Sequence, residues 1–136
     1  MERVEIAEDF TASAGRVWTL LGDFEAMGAL PGVPVETSGT GVGATRTIAW
    51  EGRRIVETLE AIDHIGYRLT YAVSGDLPLP ARELRSSCRL EPTGELSCRV
   101  VWKAEFEVDG PAEPVRSAIA GEIRQTNGRI RAALGL

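Results

Sequence analysis

The sequence predicts an α+β domain in which a curved, mostly antiparallel sheet of about seven strands wraps one long C-terminal helix, with two short helices after the first strand. Three observations predict it. First, residues 112–134 place Val115, Ile119, Ile123, Thr126, Ile130 and Leu134 on one stripe at helical period, with Arg116, Glu122, Arg124, Gln125, Arg129 and Arg131 mostly off it. At about 1.5 Å of rise per residue, such a helix needs a partner surface about 30 Å long. Second, residues 33–108 read as strands separated by breaks that each carry Gly or Pro. Third, the pattern between the first strand and these strands is helical but short.

In chain order, Val4, Ile6, Glu8 and Phe10 alternate with Glu5, Ala7 and Asp9, which makes a half-buried first strand. Ser13 is the cap for a short helix holding Val17, Trp18, Leu20 and Leu21, which Gly22-Asp23 interrupts. A second short helix is expected over 24–30, ended by Gly28 and Pro31-Gly32. Strands are expected over 35–38, 44–50, 53–62, 67–74, 82–91 and 96–108. Asp109 or Gly110 can cap the last helix, Pro111 suits its first turn, and Gly135 stops it.

The 136 residues suit a single domain spanning 1–136, and 43% hydrophobic with 26% charged content is ordinary for a soluble protein. A net charge of −5 with interleaved signs argues against nucleic acid or an anionic membrane as partner. The first ten residues are charged and alternating, unlike a signal peptide. No apolar run reaches the roughly 20 residues of a membrane helix. The chain reads as cytoplasmic, so Cys88 and Cys98 are expected as free thiols.

Register can be derived from turns. A two-residue loop at Glu51-Gly52 pairs Trp50 with Arg53, Ile48 with Ile55 and Arg46 with Glu57. Ile48, Trp50, Ile55 and Leu59 make that face the apolar one, so Arg46 and Glu57 share the inner wall and must pair there. In the last strand Cys98, Val100, Trp102, Ala104, Phe106 and Val108 face inward; in the strand before it, Leu84, Ser86, Cys88 and Leu90 do. A five-residue loop, 91–95, would set Leu90 against Leu96, Cys88 against Cys98 and Leu84 against Trp102. Tyr67, Leu69, Tyr71 and Val73 are the apolar set of their strand, and turning them inward requires a bulge or an odd loop after Glu57.

Several stretches have a family likeness. Residues 17–24, VWTLLGDF, resemble the "VWxLLxDF" opening of the START-like (SRPBCC) superfamily of polyketide cyclase/dehydrase and lipid-transport proteins. Gly41-Val42-Gly43-Ala44-Thr45-Arg46-Thr47 resembles its "GvGavRt", residues 57–63 its "ErLexxD", and Leu77-Pro78-Leu79-Pro80 its "plP" loop. The four segments occur in family order, with the long helix last. The chain departs from the pattern where relatives carry Trp-His before a Pro-Gly pair and this sequence has Ala29-Leu30 before Pro31-Gly32. The resemblance implies a Bet v 1-like helix-grip fold with a cavity between sheet and terminal helix. The family holds cyclases, carriers, receptors and cochaperones, so it leaves the function open.

The expected function is binding of a small hydrophobic or amphipathic molecule inside the fold, its mouth near 33–43 and 75–80. The alternative is a polyketide cyclase/aromatase or dehydratase, with Arg46, Glu57 or Tyr71 assisting proton transfer. The candidate ligand-binding residues are Arg46, Ile48, Glu57, Leu59, Tyr71, Leu84, Ser86, Trp102, Phe106, Ile119 and Ile123. Arg46–Glu57 reads equally as a ligand anchor or a structural ion pair, and the aromatics as pocket or as core. Thr126 and Asn127 face either the interior or solvent, according to helix phase. His64, the single histidine, sits in a turn and is expected to be solvent-exposed. No metal and no cofactor is expected: one His and two Cys make no ligand set, and Gly39–Gly43 lacks the GK[ST] ending of a phosphate loop. The charged outer face, including Arg54, Glu60, Arg85 and Lys103, argues against a protein-docking role.

Overall fold

In the computed structural model, β1 (Glu2–Phe10) leads into α1 (Ala14–Leu21) and α2 (Phe24–Met27). Strands β2 (Val35–Ser38), β3 (Thr45–Trp50), β4 (Arg53–Asp63), β5 (Arg68–Gly75), β6 (Ala81–Gly94) and β7 (Ser97–Val108) follow, and α3 (Glu113–Ala133) closes the chain. The structure describes residues 1–27 and 35–136, apart from the side chains of Ala26, Met27 and Trp50. The expected end of the second helix, the Ala29-Leu30 departure and the Val33 edge of the expected mouth lie outside the described residues. Among those described, all seven strands form one antiparallel sheet in the order β1-β7-β6-β5-β4-β3-β2.

The first helix starts where its cap is: the Ser13 hydroxyl accepts from the Arg16 amide at 3.1 Å. The β3–β4 hairpin has the expected register, Arg46 opposite Glu57 and Ile48 opposite Ile55. Its two loop residues, Glu51 at φ 48° and Gly52 at φ 76°, both take the left-handed conformation that lets a two-residue loop follow the strand twist. A bulge at Glu60 then changes parity in β4, so Leu59 pairs with Tyr71 and Ile62 with Leu69, all four on the covered face.

The β6–β7 register differs from expectation. Cys88 pairs with Trp102 and Leu90 with Val100, while Cys98 lies opposite Pro92, so the two cysteines do not face each other and Leu84 pairs with Val73 instead of reaching Trp102. The cause is that β6 runs on through Pro92 with a bulge before Gly94, leaving Glu95-Leu96 as the loop. Pro92 is tolerated because β5 pairs with β6 only as far as Arg89, so no neighbour needs its missing N–H on that side. Parity survives the shift, and Cys88, Leu90, Cys98, Val100 and Trp102 are all buried.

The last helix begins at Glu113 with Pro114 in its first turn; its cap position, Ala112, makes no side-chain bond, so neither Asp109 nor Gly110 caps it. Gly135, at φ 72°, ends it as expected. Val115 and Ile119 pack with Val4, Ala104 and Phe106, and Ile130 packs with Phe10 and Trp102. The buried stripe passes through Asn127 rather than solvating it. Trp102 Nε1 donates to Asn127 Oδ1 at 2.8 Å, and Asn127 Nδ2 donates to Glu8 Oε1 at 2.7 Å. Arg131 completes the chain of bonds by donating to Glu8 and to the Asp9 carbonyl. A buried amide is stable there because each of its polar ends has a partner.

Candidate functional site

Helices α1 and α2 and the far end of β4 enclose an open cleft of about 450 Å³. Trp18, Phe24, Ala44, Leu59 and Ile62 give it apolar walls. Thr19, Asp23, Glu25 and His64 supply polar groups, and Gly22 and Gly41 complete the lining. Gly41 belongs to the glycine-rich loop between β2 and β3, at the rim where a mouth is expected. Among the described residues the lining includes nothing from α3 and nothing from 75–80, so this cleft lies beside the helical segment and not beneath the terminal helix.

Trp18 is the most constrained of these groups. Its indole lies over Gly22, where an added Cβ would come within 2.4 Å of the ring. Tyr67 packs against it with ring centres 5.7 Å apart. His64 meets it edge-on at 5.8 Å and accepts its Nε1–H at Nδ1, 3.1 Å away. The His64 turn is itself fixed by Asp63, whose carboxylate accepts from the Ile65 and Gly66 amides at 3.0 and 2.9 Å. These two backbone bonds hold the Asp63 carboxyl below its ordinary pKa.

Behind Phe24 lies the paired charge. Arg46 Nε donates to Glu57 Oε1 at 2.6 Å, and Arg46 Nη1 donates to the Phe24 carbonyl at 3.0 Å. The guanidinium lies 3.9 Å from the Phe24 ring centre and 5.1 Å from that of Tyr71. Arg46 therefore ties α2 to the sheet. Burial, and then the Glu57 charge, push the Tyr71 phenol well above its usual pKa, so it stays protonated; Ser86 lies opposite it across β5 and β6.

The expected site residues thus divide by position. Leu59 lines the cleft. Arg46, Glu57 and Tyr71 form one cluster directly behind it, with Ser86 beside Tyr71. Ile48 is half-buried opposite Ile55. Trp102 is bonded to Asn127, and Leu84 and Phe106 of the sheet pack with Ile119 and Ile123 of α3. Among the described residues no cluster of three or more His, Cys, Asp or Glu is placed to hold a metal ion. The sequence reading passed over Trp18, Phe24 and His64 as cleft residues. His64 is exposed, as expected of a turn histidine, yet it is bonded to Trp18 and lines the cleft. The available signal was its place at the end of the strand that carries Leu59 and Ile62.

Residues 1–135 match the family described as polyketide cyclase / dehydrase and lipid transport. The chain belongs to that family. Its helix-grip architecture recurs in solved structures that this polyketide cyclase/dehydrase family member resembles. A Bacillus thuringiensis protein of uncharacterised role superposes with a TM-score of 0.83 at 23% identity, covering 97% of this chain and 98% of that one. A Thermobifida fusca protein gives 0.77 at 29% identity over 90% and 84%. Norcoclaurine synthase from Thalictrum flavum, solved with dopamine and hydroxybenzaldehyde, gives 0.79 at 20% identity over 98% and 86%. No curated protein matches the family member in sequence. Among the described residues no helix is long and apolar enough to cross a membrane.

Proposed function

We propose that this chain binds a small hydrophobic or amphipathic molecule in the cleft between α1–α2 and the β4 end of the sheet. The observation that carries the reading is the cleft itself. Its volume of about 450 Å³ suits a small organic molecule. Its walls are apolar, with a few polar side chains at fixed places, the usual division between affinity and orientation. The norcoclaurine synthase complex supports the reading in kind, since that protein of the same fold was solved with small aromatic molecules.

Binding is better supported than turnover. A cyclase or dehydratase needs an acid or base that reaches the substrate. Of the side chains expected to move protons, Arg46 and Glu57 are bonded to each other, and Tyr71 is buried with its proton held firmly.

The test is titration with N-phenyl-1-naphthylamine, a neutral apolar dye. Wild-type protein should enhance its fluorescence saturably. Thr19→Trp, a helix-surface change that fills the cleft, should abolish the enhancement while leaving the circular dichroism spectrum unchanged. Equal dye binding by wild type and Thr19→Trp would place any ligand elsewhere, and no saturable binding by wild type would remove the reading.

A further inference from the structure

The cleft has one polar ring whose accepting nitrogen is selected by its neighbour. Trp18 Nε1 is a donor only, and it points at His64 Nδ1 from 3.1 Å. Nδ1 must therefore be the accepting nitrogen, with its lone pair free of a hydrogen. A neutral imidazole that accepts at Nδ1 carries its hydrogen at Nε2. Trp18 cannot readily turn away, because Gly22 lies beneath its indole and Tyr67 beside it. The turn bearing His64 is held by the Asp63 bonds to Ile65 and Gly66. Both partners are thus held in place by neighbouring parts of the fold. No described residue makes a hydrogen bond to His64 Nε2.

We propose that His64 is the specificity-determining donor of the cleft, its Nε2–H taking a carbonyl oxygen on an otherwise apolar, neutral ligand. The inference rests on the binding reading above and adds the ligand class to it. The choice of a neutral acceptor over a carboxylate follows from Glu25, which lines the same cleft and raises the cost of bringing in a negative charge. The apolar part of such a ligand would lie against Leu59, Ile62 and Phe24.

Three naphthalenes of similar size test this: 2-acetylnaphthalene with a ketone, 2-ethylnaphthalene with no acceptor, and 2-naphthoate with a carboxylate. Wild-type protein should prefer the ketone over the hydrocarbon by roughly five-fold, the worth of one neutral hydrogen bond, and over the carboxylate by at least as much. His64→Asn retains an acceptor for Trp18 but has no group at the Nε2 position, so it should bind ketone and hydrocarbon equally. His64 is the single histidine of the chain, so long-range ¹H–¹⁵N correlation spectra of unmodified protein report its ring alone. They should show the Nε2–H form, and only the ketone should shift Nε2. Observation of the Nδ1–H form, or a ketone preference that persists in His64→Asn, would overturn the proposal while leaving ligand binding intact. Binding of none of the three to wild type would overturn both.

Discussion

Arg46 and Glu57 are bonded directly across β3 and β4, Nε to Oε1 at 2.6 Å, with their side chains only 7% and 14% exposed. Removing one partner strands the other charge. Arg46→Ala is therefore expected to destabilise the protein by about 3–5 kcal/mol, and it also frees the Phe24 carbonyl. Arg46→Met combined with Glu57→Leu should cost less than Arg46→Ala alone. Urea denaturation of the three proteins decides it; a single mutant that unfolds like wild type would mean the pair contributes nothing to folding.

Asn127 joins two elements that share no backbone bonds, α3 and β7, through the Trp102 indole. Asn127→Leu leaves that buried N–H without an acceptor and should cost about 1–3 kcal/mol. Adding Trp102→Phe removes the orphaned donor, so the double mutant should lose less than the sum of the two single changes. Strict additivity would show that the bond does not form.

Cys88 and Cys98 lie apart on the covered face, and burial pushes both thiols above their ordinary pKa. The thiolate is the reactive form. Native protein at pH 8 should therefore resist thiol reagents, whereas unreduced protein unfolded in guanidinium should show both thiols free. Loss of either thiol in the unfolded sample would reveal a disulfide that this arrangement does not contain.

The Asp63 carboxylate is stabilised by the Gly66 and Ile65 amides, so its folded pKa lies below the ordinary 3.8. A carboxyl lowered in this way supports the fold above 3.8 and loses that support as pH falls through the folded value. The Ile65 and Gly66 amide resonances should follow one titration with a midpoint under 3.8. Asp63→Asn should remove the titration, and a midpoint above the ordinary value would contradict the two bonds.

Most of the architecture was legible because it rests on local signals. The Glu51-Gly52 loop determined the Arg46–Glu57 pairing, and the need to turn Tyr71 inward required a bulge, which falls at Glu60. The Pro92–Gly94 stretch misled because a proline and a glycine mark a turn in most settings. Here the neighbouring strand ends first, so the proline costs no hydrogen bond and β6 continues. The cleft was less legible. Trp18 and His64 are 46 positions apart, each has an unexceptional local explanation, and only the packing of α1 across the β4–β5 turn brings them together.

The strand order also governs when the fold can form. From β3 to β7 each strand pairs with the one before it, so these hairpins can assemble in sequence as the polypeptide is made. The exception is β1, which pairs with β7, Glu2 opposite Phe106. Closing so distant a contact is entropically slow. On the ribosome, Val4, Ile6 and Phe10 therefore emerge before the other strands of the sheet and wait longest for a partner. Their alternation with Arg3, Glu5 and Asp9 keeps that waiting segment charged on one side, the kind of gatekeeping that limits pairing with another nascent chain.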